Sequence, residues 1–492
     1  MKKFKKALAL SLTLAMGMSM VACGDKKEST TSAGTQANTD APSTTEAPKT
    51  EAPKTEEPKT DAPNTEEPKT DAPATTGIAA PDTSSWTEKD KIYAYSWDDD
   101  FKKKLDVILD AYPQYKDYVE YINLGVASEE SLELIDQALK SGDKYPSLIP
   151  ADIGSAKYYT ENDDKTLDLY SIGFTPDMFK DTYQYAVDFA TYNGQLKAVT
   201  WQSAAGSVFY NRAIAKEVFG TDDPDAIQEK LKDWDSFFAA AEELKAKGYK
   251  IVETTKDIYY AIINAHTEPW VQEADGKEVF VPDATITEYL EKAKKLADGE
   301  YVNSVKTGDM WRGGWFGNMK DGGNVFCYFC CPWMIGVMQE NGATDGSWGA
   351  CVGPNPYYWG GTYVSVGKNT NNPELAAFIC YELACDADMG VKITNVTGDA
   401  VSNKAANDRL VAGEISADNN GVKFLGGQNP YGTWAAAAPG IKQAAVTYQD
   451  KNYEALIAEA ADGYITGTYA SVDEALNYVK KQSKIRFGIE AK

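Results

Sequence analysis

A five-residue period that begins at Thr45 restricts this chain more than any other feature. It reads T-E-A-P-K, T-E-A-P-K, T-E-E-P-K, T-D-A-P-N, T-E-E-P-K, T-D-A-P-A, with Pro48, Pro53, Pro58, Pro63, Pro68 and Pro73 in register. Proline at every fifth position fixes φ and removes a backbone donor, so neither a helix nor an inner strand propagates through it. The surrounding stretch, from Gly24 to about Ser85, is Thr, Ser, Ala and charge with almost nothing apolar to bury. Such a segment cannot repay its ordering entropy and is expected to form an extended linker with polyproline-II character. Its period is too short for a stacking repeat. The fold must therefore be built from residues 86–492, enough chain for two packed domains.

Ahead of the linker, Lys2, Lys3, Lys5 and Lys6 precede an apolar run from Ala7 to Val21. That is the length of a signal core, not of a span of ~20 residues. The run closes in Ser19-Met20-Val21-Ala22-Cys23-Gly24, which resembles the lipobox of bacterial lipoproteins, with Met20 where leucine is preferred. The resemblance implies a signal peptide over 1–22, lipidation of Cys23, and a body tethered outside the cell membrane through residues 23–85. A Gram-positive type of envelope is the expectation. No other apolar run is long enough to span a bilayer.

The formal net charge of −24 argues against nucleic acid or an anionic membrane surface as a partner. Six cysteines follow Cys23: Cys327, Cys330, Cys331, Cys351, Cys380 and Cys385. Their spacing admits a four-thiolate zinc site. The first pair, however, continues an apolar strand pattern and the second lies in an amphipathic helix, so buried free thiols are the better reading. A single histidine, His266, leaves little for imidazole chemistry, and no G-x-S-x-G, P-loop or H-E-x-x-H pattern occurs. No metal or cofactor is expected, and catalysis is supported only as chemistry run by carboxylates alone.

Strand and helix patterns alternate through the folded part. Lys91–Trp97 reads as a strand, Phe101, Leu105, Ile108, Leu109 and Tyr112 as a helix face stopped by Pro113, and Tyr118–Leu124 as a second strand. A second helix carries Leu132, Ile135, Ala138 and Leu139 and ends near Gly142; Pro146–Pro150 is a third strand. This order predicts an α/β fold with mostly parallel sheets flanked by helices. Ligands of such sheets sit beyond the carboxyl ends of the strands, which selects Trp97-Asp98-Asp99 and Asp152. Asp233 and Asn372 read as N-caps, Pro373 as a helix opening, and Val472–Ile485 as the last helix.

Several stretches together resemble the family 1 extracellular solute-binding proteins of sugar ABC importers, the maltose-binding-protein-like group. They are Tyr192-Asn193-Gly194-Gln195-Leu196, Val208-Phe209-Tyr210-Asn211, Asp233-Trp234-Asp235, Asp321-Gly322-Gly323 through Pro332-Trp333, and Gly361-Thr362-Tyr363 with Asn371-Asn372-Pro373-Glu374. Their order and spacing carry the resemblance. It implies a two-lobed periplasmic-binding-protein-like fold with three hinge crossings, near Val199–Trp201, Gly353–Pro356 and Thr397–Ala400. One lobe would comprise 86–200 and 356–398, the other 201–355 and 399–492. Ligand would lie between them, the partners being a carbohydrate and the permease subunits of an importer, and the protein a monomer.

A sugar offers apolar C–H faces and a rim of hydroxyls, so its binder needs flat aromatic platforms beside carboxylates, amides or arginine. The expected cleft loops supply Trp97, Asp98, Asp152, Trp201, Arg312, Trp333, Trp359 and Trp434 as ligand-binding residues; Trp311 adjoins Arg312. Asp98 and Asp152 equally suit helix caps, and Tyr210 and Asn211 suit hinge strands. The alternative function is an extracytoplasmic glycoside hydrolase, which would need two carboxyls ~5–9.5 Å apart. A structural or adhesive lipoprotein would not need tryptophans in loops at strand ends.

Overall fold

The computed structural model describes residues 77–443 and 445–492. The signal segment, Cys23 and the proline repeat lie outside the described residues. The described residues form one compact unit. The first described residues pack on the body: Tyr115 Oη donates to the Pro81 carbonyl at 2.8 Å, and Trp86 meets Tyr118 edge-on with ring centres 5.1 Å apart. Among the described residues no helix is long and apolar enough to cross a membrane.

Two sheets organise the body. The first has five strands in the order Val119–Asn123, Ile92–Ser96, Pro146–Asp152, Thr362–Val366, Val199–Thr200. The first three are mutually parallel; Thr362–Val366 is antiparallel to both its neighbours. Four strands therefore end at the same edge, at Ser96, Asn123, Asp152 and Thr200, and only one runs back. The intervening helices are Asp100–Ala111, Ser128–Ser141 and Ile153–Thr160. The second of these stops at Gly142, which adopts φ +74 and is free of the Cβ clash that penalises this conformation. The helix Pro373–Ala384 opens as its sequence predicts: the Asn372 side chain accepts from Leu375 N at 3.0 Å, and Leu375, Phe378, Ile379 and Leu383 are buried.

The second sheet corrects the expectation of a parallel array. Its three strands, in the order Cys327–Cys330, Ser207–Asn211, Trp348–Cys351, are antiparallel to the central one. The physical reason is the direction of travel. Ser207–Asn211 leads away from the first sheet, and each of its neighbours returns toward it, Cys330 opposite Ser207 and Cys351 opposite Val208. The six cysteines are free thiols, five of them buried and Cys385 half-buried. The C-terminal helix is Val472–Gln482, shorter than its pattern suggested, and passes into a π-helical turn over Ser483–Phe487.

The chain passes between the sheets over residues 201–206 and 352–361, and a third segment, 399–403, lies against the first of these. Ser203 N donates to Ala400 O, and Ser402 N to Trp201 O. At this junction a buried charge cluster forms. Lys104 Nζ lies 2.5 Å from Asp100 Oδ1 and 3.0 Å from Asp399 Oδ2. The same Asp399 oxygen accepts from Trp201 Nε1 at 3.0 Å and Gln202 Nε2 at 2.9 Å, while Gln202 Oε1 accepts from Thr362 N at 3.0 Å. Phe101 stacks on Trp201 with ring centres 5.6 Å apart. Removing one member of a buried ion pair strands the other. Asp399→Asn should lower unfolding free energy by about 3 kcal/mol, measured by urea titration; a variant within 0.5 kcal/mol of wild type, roughly the range of surface substitutions, would show the cluster to be unimportant.

Candidate ligand site

The strand ends of both sheets converge on an aromatic cluster. Trp333 follows the strand Cys327–Cys330 and opens the helix Met334–Glu340. Its Nε1 donates to the Trp359 carbonyl at 2.9 Å, and its ring meets that of Trp359 edge-on at 5.3 Å. Trp359 stacks on Tyr260 at 4.9 Å. On the other side Trp311 lies parallel to Trp333, with centres 6.1 Å apart and an 8° interplanar angle, and rests on Trp315 at 4.8 Å. Trp311 is 41 % exposed and sits at φ +64, a left-handed conformation that costs a bulky residue energy. Aromatic packing against Trp315, Phe316, Trp333 and Trp359 holds it there.

Carboxyls stand beside these rings. Asp152 ends its strand and caps the helix Ile153–Thr160, accepting from Gly154 N at 3.1 Å. Gly360 brings it close to the tryptophans: a Cβ at that position would lie 3.6 Å from Trp333 Nε1 and 3.7 Å from Asp152 Oδ2. Burial pushes the Asp152 carboxyl up to about 6, against the backbone N–H groups of Gly154 and Ile153, with the Glu454 carboxylate adding to the rise. Glu454 itself accepts from Tyr260 Oη at 3.0 Å and pairs with Lys256 at 2.6 Å. Lys451, one turn earlier on the same helix, pairs with Glu129 and lies beside Gly154. The helix Asp450–Ile465 thus faces the start of two helices of the first sheet.

The sequence-derived candidates separate into three groups. Asp152, Trp333 and Trp359 come together in the cluster. Trp97 is half-buried at the end of its strand and Asp98 is exposed, its Oδ1 accepting from Asp100 N at 2.9 Å. Arg312 is exposed beside Trp311, with Nε 3.4 Å from the Gly308 carbonyl. Trp201 and Trp434 are corrections. Both are buried to 1 % or less, Trp201 by Asp399 and Phe101, Trp434 with its Nε1 on Ser207 Oγ at 3.2 Å, so neither has a face free for a ligand. Trp201 lies at the first crossing and Trp434 in the helix Tyr431–Ala437, where a tryptophan fills the junction as readily as it lines a cleft. Sequence reasoning missed Tyr260, Lys256, Lys451 and Glu454; a Lys-x-x-Glu at a helix start was the only signal for the last two.

The profile of the bacterial extracellular solute-binding proteins matches residues 97–422, well over half of the chain. The chain belongs to that family. Solved structures share the fold of this solute-binding protein. One is an extracellular solute-binding protein of family 1, 16% identical, with 80% of this chain and 98% of that chain covered and a TM-score of 0.66. Another is the galacto-N-biose/lacto-N-biose I-binding protein of an ABC transporter from Bifidobacterium longum, in complex with lacto-N-biose, at 15% identity, 82% and 98% coverage and a TM-score of 0.62. A third is an extracellular solute-binding protein from Staphylococcus aureus in complex with maltose, at 16%, 80% and 98%, and 0.57. A search of curated sequences returns no match. The solute-binding protein thus has the two-lobed α/β fold of these neighbours.

The raised Asp152 carboxyl has a pH consequence. A carboxyl whose folded value lies above its ordinary 3.8 is accommodated best when protonated, so its contribution is full below about 4 and is lost as pH rises through about 6. Asp152→Asn keeps the cap and removes the charge. Its stability relative to wild type should therefore rise between pH 4 and 7, by about 1–2 kcal/mol allowing for partial solvation; thermal unfolding across that range checks it, and a constant difference would refute it.

Proposed function

We propose that this solute-binding protein captures a carbohydrate, an oligosaccharide by the extent of its aromatic surface, between two lobes and delivers it to an ABC importer. The carrying observation is the aromatic cluster of Tyr260, Trp359, Trp333 and Trp311, in which Trp311 is exposed and Trp359 is packed behind, beside the carboxyls of Asp152 and Glu454. Flat rings cover sugar C–H faces, and ionised or protonated carboxyls accept from or donate to hydroxyls. Lacto-N-biose and maltose in the neighbouring structures support the ligand class. The lobes are proposed as 86–200 with 356–398, and 201–355 with 399–492. Lys451 and Glu129, on opposite lobes by this division, would act as a latch on closure. Trp97, Asp98 and Arg312 would meet parts of the ligand outside the cluster, and Cys23 would hold the monomer to the membrane's outer face.

One observation favours a second reading. The Glu454 carboxylate lies near enough to Asp152 to add to the rise of its carboxyl, and a glycoside hydrolase likewise uses a pair of carboxyls. Tryptophan fluorescence with maltose, lacto-N-biose and β-1,6-galactobiose separates the two. Saturable quenching or enhancement without released monosaccharide supports capture; turnover would overturn it. Trp333→Ala should weaken the responding sugar about tenfold, the ~1–2 kcal/mol of one covered ring face at ~25 cal/mol/Å². Separately, Cys23→Ser should move the protein from the membrane fraction to the medium.

A further inference from the structure

Over residues 480–492 the charge of the chain is reversed. The whole sequence carries −24, yet this stretch holds Lys480, Lys481, Lys484, Arg486 and Lys492 against a single acid, Glu490. The four lysines, Glu490 and Ile485 line a groove of about 530 Å³. Ile485 is 62 % exposed in the middle of them. We infer that this face is a docking surface for a bilayer that carries anionic headgroups.

Fixed structure presents the patch. Ser483 is fully buried; its hydroxyl donates to the Ile489 carbonyl at 2.9 Å and lies 2.7 Å from Tyr453 Oη. Phe487 meets the Tyr453 ring edge-on with centres 5.7 Å apart. These contacts pin both ends of the π-helical turn Ser483–Phe487, and Lys484, Ile485 and Arg486 between them are exposed. The strand Glu490–Ala491 pairs with Lys277–Phe280, and Lys492 N donates to Phe280 O at 2.9 Å. The exposure of Ile485 is therefore not that of a frayed end.

The charges are largely uncommitted. Among the described residues Lys480, Lys481 and Lys492 have no carboxylate within the 4.0 Å of an ion pair. Lys484 pairs with Glu490 at 2.7 Å and Arg486 with Glu459 at 2.6 Å. Cations at the end of the helix Val472–Gln482 complement its dipole, which accounts for Lys480 and Lys481. It does not account for Lys492, or for an isoleucine left in water among lysines. A soluble polyanion would gain nothing from Ile485, and a second copy would set lysine against lysine. A bilayer interface takes both, with headgroup phosphates on the lysines and the apolar side chain at the acyl boundary. The −24 of the whole chain opposes a general attraction to such a surface but not this local one. At physiological ionic strength the Debye length is about 8 Å, so a surface senses mainly the charges that touch it. A body held through Cys23, as proposed above, would need only a weak patch to settle one face on the membrane.

The test uses residues 23–492 with Cys23→Ser, so that neither the signal segment nor a lipid contributes. Vesicles of phosphatidylglycerol and phosphatidylcholine in equal parts are compared with phosphatidylcholine alone by co-sedimentation. The protein should partition at least tenfold more strongly to the anionic vesicles. Lys481→Gln, Lys484→Gln and Lys492→Gln together should lower that partition at least tenfold, since each lysine near an anionic surface contributes about fivefold. Ile485→Ser should lower it about threefold or more and leave binding to soluble polyphosphate unchanged, and none of these variants should shift thermal unfolding. Equal partition to the two vesicles, indifference to the lysine variant, or indifference to Ile485→Ser would each overturn the proposal. The last of these, with polyphosphate bound, would make the patch a polyanion site instead. Carbodiimide cross-links from these lysines to acids of residues 24–76 would also overturn it, and would make that segment the occupant. Because the assay contains no lipid anchor, its failure would leave the proposed role of Cys23 untouched.

Discussion

One oxygen atom organises the middle of this molecule. Asp399 Oδ2 takes hydrogen bonds from Lys104, Trp201 and Gln202, groups that belong to a helix of the first sheet and to the first crossing. A carboxylate and an ammonium buried together are tolerated only when geometry and further donors satisfy both, and here they do. Gln202 passes the constraint on to Thr362, the first residue of the returning strand. Immediately before it lie Trp359, Gly360 and Gly361, and the Gly361 carbonyl in turn accepts from Ile153 N, at the start of the helix that Asp152 caps. The aromatic cluster thus inherits its geometry from an ion pair that touches no ligand surface.

The site then combines two chemistries that ordinarily oppose one another. Stacked indoles exclude water, and exclusion of water makes an ionised carboxylate expensive. Asp152 absorbs that conflict through its raised carboxyl and through the N–H groups of the helix it caps. Glu454 meets the same conflict through Lys256 and Tyr260. Two carboxyls therefore acquire different environments, Asp152 at a helix start and Glu454 beside Lys256 and Tyr260.

The elements of the first sheet were legible because its periodicity is unambiguous. The strands around Ile92–Ser96 and Val119–Asn123, the helix ended by Gly142, and the Asn372 cap all follow from local rules that tertiary context did not override. The second sheet was not legible in the same way: three short strands with Gly and Cys in them carry no record of direction, which is set by where the chain must return. At the site, Asp152 stood out at a strand end and Trp333 by its place in the family resemblance. Trp201 stood out at a crossing and Trp434 in an expected cleft loop, and both are core residues. A tryptophan beside a crossing is read identically whether its face is covered by protein or open, and only the Asp399 and Ser207 contacts decide it. Tyr260 and Glu454 lay in ordinary amphipathic helices, where nothing local distinguishes a cleft face from a packed one.

The free thiols carry a consequence of another kind. Burial pushes Cys351 and Cys380 up to about 12, and holds Cys327, Cys330 and Cys331 well above the ordinary thiol range. Disulfide exchange proceeds through the thiolate, so the finished fold presents almost no reactive sulfur to an oxidising exterior. Protection of this sort begins only once the sheets have closed over it. For an exported chain, the interval between emergence and folding is then the time in which vicinal Cys330 and Cys331 are open to oxidation, and fast closure of the second sheet becomes a chemical requirement as well as a structural one.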